Sequence, residues 1–120
     1  MYDKESINKR KLKKLFEEAE QNPLPDSSGG ENRSLSDYFF LIVGWDTTLA
    51  GLVSSYVYHN DEDIDLSLVD KGHRELTHIL KRIKEIKTKN STESKYKKSY
   101  SDWTENLLQM TTLLKEKSTR

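Results

Sequence analysis

The chain has 120 residues, 33% hydrophobic and 33% charged, and its 20 lysines and arginines balance 20 aspartates and glutamates. That length suits a single domain, 1–120, with one modest core, and a net charge of zero supplies no global field to draw the chain to nucleic acid or an anionic membrane. With no cysteine, disulfide frameworks, thiolate metal sites and cysteine nucleophiles are excluded.

The N-terminal stretch MYDKESINKRKLKK has no apolar core of the kind a secretory signal needs, so a cytoplasmic location is expected. In KESINKRKLKKLFEEAEQ, Leu12, Leu15, Phe16 and Ala19 recur at helical spacing and predict a first helix. Asn22-Pro23 ends it, because the residue before a proline avoids the α region. Residues 22–34 hold both prolines, Gly29-Gly30 and several serines, and read as a flexible loop.

The second helix is expected over 38–58, with Ser36 as its cap. YFFLIVGWDTTLAGLVSSYVYHN is the only long apolar run in the chain, and it is about long enough to cross a bilayer. Asp46, Thr47 and Thr48 near its middle weigh against a span, since a central aspartate costs roughly 2.5–3.5 kcal/mol on insertion scales. Two further amphipathic helices also need an apolar partner, so a core helix is expected and no membrane span. On a helical wheel Phe39, Ile42, Val43, Leu49, Ala50, Val53 and Val57 share a face with Asp46 at its centre. Gly44, Thr48, Gly51 and Ser55 form an opposite, small-residue face. That face is expected to receive another helix, from the bundle or from a second copy in a homodimer.

The third helix is expected over 66–87, with Val69, Gly72, Leu76, Ile79, Ile83 and Ile86 as its seam. The fourth is expected over 93–117, with Tyr96, Tyr100, Trp103, Leu107, Met110 and Leu114, followed by a frayed tail at 117–120. Acids before the third helix and bases at its end complement its dipole. The fold class is therefore all-α, an antiparallel four-helix bundle with a flexible loop between helices 1 and 2.

A carboxylate in an apolar face must be hydrogen-bonded, paired or protonated. Asp46 and His73 are thus the buried polar candidates, with Trp103 or a tyrosine as the next partner for Asp46. No metal site is expected. His73 and His78 are five apart and diverge around the helix, and Asp61, Glu62, Asp63 and Asp65 begin a calcium-type loop that has Leu66 at its glycine position and Gly72 at its closing acid. No cofactor motif is present either, for no glycine-rich loop follows a strand. From Lys81 to Lys98 the chain carries eight basic residues and two acids. Lys81, Arg82, Lys84, Lys87, Lys95, Lys97 and Lys98 are candidates for binding nucleic acid there, with Tyr96 and Tyr100 interleaved. These features point first to a non-enzymatic helical protein that binds another macromolecule, most naturally a protein, as regulators, immunity proteins and antitoxins do. Nucleic-acid binding at the tip 81–98 is the alternative, and an enzyme built on Asp46 and His73 is the second.

Overall fold

The computed structural model describes residues 4–26, 32–59 and 63–117. Four helices account for most of them: α1 (Lys4–Gln21), α2 (Arg33–Tyr58), α3 (Leu66–Glu85) and α4 (Ser91–Lys117). No strand occurs among the described residues, and the protein is an all-α four-helix bundle, 50 Å long and 26 by 20 Å across.

Each helix start after the first is fixed by a short polar side chain. The Asn32 carboxamide oxygen accepts from the Leu35 N–H at 3.3 Å, so α2 begins earlier than the apolar run suggests and its cap is Asn32, not Ser36. Asp65 does the same for α3, accepting from Leu68 N–H at 3.1 Å. At α4 the Asn90 side chain accepts from Glu93 N–H at 2.9 Å, and the Glu93 carboxylate reaches back to Lys89 N–H at 3.2 Å, a reciprocal pair of the capping-box kind. α3 stops at Glu85, and Ile86 turns away in extended backbone.

Side-chain ties define the directions. Asp70–Lys115, His73–Thr111 and Lys84–Glu105 run antiparallel along α3 and α4. Asn8 donates to Glu116 at 3.3 Å, and Trp103 Nε1 donates to Asn22 O at 2.9 Å, so α1 is antiparallel to α4. α2 runs parallel to α4, with Asn32 on Glu93 and Phe39 beside Tyr100. The order is therefore up-down-up-down. Its cross-section is not square: α2 and α4 pack against each other, α1 and α3 flank them, and among the described residues the backbones of α1 and α3 nowhere come within 8 Å of each other.

The core follows the expected seams on α3 (Val69, Gly72, Leu76, Ile79, Ile83) and α4 (Tyr100, Leu107, Met110, Leu114), with the hydroxyls of Thr104 and Thr111 buried beside them. Both hydroxyls donate back to carbonyls of their own helix, which lets them enter the core. On α2 the buried stripe is Leu35, Ile42, Leu49, Val53 and Tyr56. That is a rotation from the expected face: Val43 is exposed and Asp46 lies at the margin, half-buried. The rotation is set by α4, whose tyrosine and leucine ridge packs along the α2 stripe.

The small face of α2 corrects the expectation that a helix of the same bundle meets it. Nothing lies within 4 Å of where a Cβ would sit at Gly44 or Gly51, so no helix of the bundle approaches there. The close approach is at Gly72 instead. Trp45 lies on it, with ring atoms 2.9 and 3.1 Å from the position a Cβ would take, and its indole N–H donates to Glu75 at 2.9 Å.

The loop 22–34 is also less free than its composition suggests. Trp103 holds Asn22 O, the Tyr100 hydroxyl donates to Pro25 O at 2.6 Å, and Leu24 packs half-buried on the core. Residues 33–34 belong to α2, 27–31 lie outside the described residues, and of the expected tail so do 118–120.

Candidate functional site

The two buried polar candidates are not brought together. His73 sits between α3 and α4, its Nδ1 2.8 Å from Thr111 Oγ1. The Thr111 hydroxyl already donates to Leu108 O at 2.7 Å, so the histidine N–H is the donor to the threonine oxygen. That chain holds a ring in place and leaves no role for Asp46. The reason for the miss is the rotation of α2, which turns Asp46 toward α1 and α4.

Asp46 opens into a pocket of about 340 Å³ between the last turns of α1 and the middles of α2 and α4. Phe16, Leu24, Trp103 and Met110 supply its apolar wall, and Glu20 stands at its exposed edge. The Asp46 carboxylate has no hydrogen-bond or ion-pair partner among the described residues, and burial pushes its pKa above the ordinary 3.8. Trp103, the second-choice partner, lines the same pocket but spends its indole N–H on Asn22 O. Among the described residues no basic side chain lines the pocket.

The fold engages four of the seven basic candidates at the tip. Lys97 donates to Ile86 O at 2.8 Å and so closes the end of α3. Lys98 pairs with Asp102 at 3.0 Å, Lys84 with Glu105 at 3.5 Å and Arg82 with Glu85 at 3.5 Å. Lys81, Lys87 and Lys95 remain exposed without an ion pair among the described residues. Tyr100 is fully buried and Tyr96 half-buried against it, so neither presents a free face for a base to stack on.

The surface that composition did not reveal is on α2. One turn bares Phe40 (60% exposed), Leu41 (48%) and Val43 (37%), with Gly44 open beside them. Leu41 continues into a groove of about 470 Å³ between α2 and α3, where Ile79 joins it and Lys71, Arg74, Glu75 and His78 form the rim. By length and composition α2 is also apolar enough to cross a membrane. Its hydrophobicity serves two sides at once, an inner stripe in the core and an outer face without cover. Among the described residues no three His, Asp or Glu side chains gather as a metal site would require.

Fold and surface together define a small helical bundle with an uncovered apolar face on α2 and an acidic pocket at Asp46. Comparison of the chain with protein-family models, curated proteins and solved structures finds no match.

Proposed function

We propose that the protein acts without catalysis, by binding another protein through the outward face of α2 and the adjoining α2/α3 groove. The observation that carries this reading is the turn at Phe40, Leu41 and Val43: large apolar side chains that the fold had no need to place in water. The open backbone at Gly44 and Gly51 lets a partner helix lie close, and the mixed charges of Lys71, Arg74 and Glu75 suit the polar flank of an amphipathic helix seated in the groove. The engagement of the basic tip in ion pairs and in the α3 cap counts against nucleic acid as the main partner.

The test is co-purification from the native host with tagged full-length chain, wild type against the double variant Phe40→Glu/Leu41→Glu. Both sites are exposed, so the variant should fold and melt within about 0.5 kcal/mol of wild type. A protein recovered in stoichiometric amount with the wild type and lost with the variant supports the reading. The same protein retained by the variant, no protein recovered with either, or recovery of the chain only with detergent would overturn it.

A further inference from the structure

The Asp46 pocket faces α1 and α4, away from the side of α2 that bares Phe40 and Leu41, and it is independent of the docking face. Three observations there converge on one kind of ligand. A half-buried carboxylate, its ordinary hydration reduced by the pocket wall, stands without a hydrogen-bond or ion-pair partner among the described residues. A second carboxylate, Glu20, lines the same pocket, and among the described residues no cationic side chain does. The carbonyl end of α1 points toward this region, and its last turn carries no basic residue to balance the negative end of the helix dipole. A positive charge is the missing component. The remaining wall is apolar and aromatic, from Phe16, Trp103 and Met110, and suits a hydrocarbon stem rather than a hydrated metal ion.

We propose that this pocket binds a primary alkylammonium group, its nitrogen hydrogen-bonded to the Asp46 carboxylate and its aliphatic stem packed between Phe16, Trp103 and Met110. The Trp103 ring is fixed for this by its bond to Asn22 O, and Glu20 screens the entrance for positive charge. The same chemistry arrives either as a free amine or as a lysine side chain presented by a partner, and the volume of about 340 Å³ admits both.

The experiment titrates full-length protein with n-butylammonium chloride and, separately, with the capped tripeptide acetyl-Gly-Lys-Gly-amide, at constant ionic strength. The Asp46 carboxyl carbon and the Trp103 indole resonance are followed by NMR, with n-butanol as the neutral control. Saturable shifts at both positions with a cation and none with butanol support the site. Binding of both cations assigns a lysine side chain, and binding of butylammonium alone assigns a free amine. Asp46→Asn, nearly isosteric, should weaken binding about tenfold or more by removing the charge-assisted bond. Glu20→Gln, at an exposed position where folding is not at risk, should weaken it several-fold through the lost long-range attraction. Equal shifts with butanol, no saturable shift with either cation, or undiminished binding in folded Asp46→Asn protein overturns the proposal.

Discussion

The Asn32 side chain holds two helix starts at once. Its oxygen accepts from Leu35 N–H at the head of α2, and its nitrogen donates to the Glu93 carboxylate at 3.0 Å, the same carboxylate that caps α4. The Asn32 bond is the first cause of a Glu93 pKa below 4.5, with Lys89 adding its backbone N–H and its charge. A lowered carboxylate pKa stabilises the fold above the unfolded-state value, and the contribution is lost as pH falls through the folded-state value. Asn32→Ala should therefore raise the Glu93 pKa, read by carboxyl-carbon NMR titration, and cost about 1 kcal/mol in melting through the lost cap. An unchanged Glu93 titration would break the link between the two caps.

The glycines should separate by environment. Gly44→Ala and Gly51→Ala meet open space in a helix interior and should each stabilise by about 0.5–1 kcal/mol. Gly72→Ala gains the same propensity but drives a methyl into the Trp45 ring, and should be destabilising overall, with overpacking of about 1–3 kcal/mol. Chemical denaturation of the three variants checks the order.

Asp46 has the opposite linkage to Glu93. Its pKa is raised by burial, so the protonated form favours the folded state; that contribution is fully present below the unfolded-state pKa and is lost as pH rises through the folded-state value. Without a cation in the pocket, Asp46→Asn should melt higher than wild type near neutral pH. The gap should close as the pH falls into the range where Asp46 protonates. A gap independent of pH would show that the carboxylate charge is not its source.

The anchored strap at Asn22–Asp26 gives a protease map. Cleavage within Asn22–Asp26 should be slow in the wild type, where Trp103 and Tyr100 hold the backbone. Tyr100→Phe removes the donor to Pro25 O and should cost about 0.5–1.5 kcal/mol while admitting cleavage at Leu24. Mass spectrometry of limited digests distinguishes the two patterns.

Much of the bundle was legible because α3 places its apolar residues on one side and α4 carries a continuous apolar seam, with Leu108 and Leu113 lying off it. Their three-four spacing names the buried residues directly, from Val69 to Ile83 and from Tyr100 to Leu114. α2 resisted because it is apolar nearly all round, and a wheel without a polar face has no preferred rotation. Its orientation comes from α4 and from Trp45 resting on Gly72, which are long-range facts. The same rotation decides the fate of Asp46, Gly44 and Gly51, so one ambiguity produced all three misplacements. The pocket depends besides on the strap, whose two prolines spoke of freedom while Trp103 and Tyr100, some 75–81 residues away, held it.

Because the backbones of α1 and α3 stay more than 8 Å apart among the described residues, each packs mainly on the central α2–α4 pair. The bundle is thus divisible: peeling α1 away leaves α2, α3 and α4 mutually packed, while the short link 86–90 keeps the α3–α4 hairpin closed at little entropic cost. Backbone amides of α1 should exchange with deuterium through this partial opening, ahead of those in the α3–α4 hairpin, which exchange only on global unfolding. Such an opening would carry Phe16 and Glu20 away with α1, and would uncover the Asp46 pocket along one whole wall.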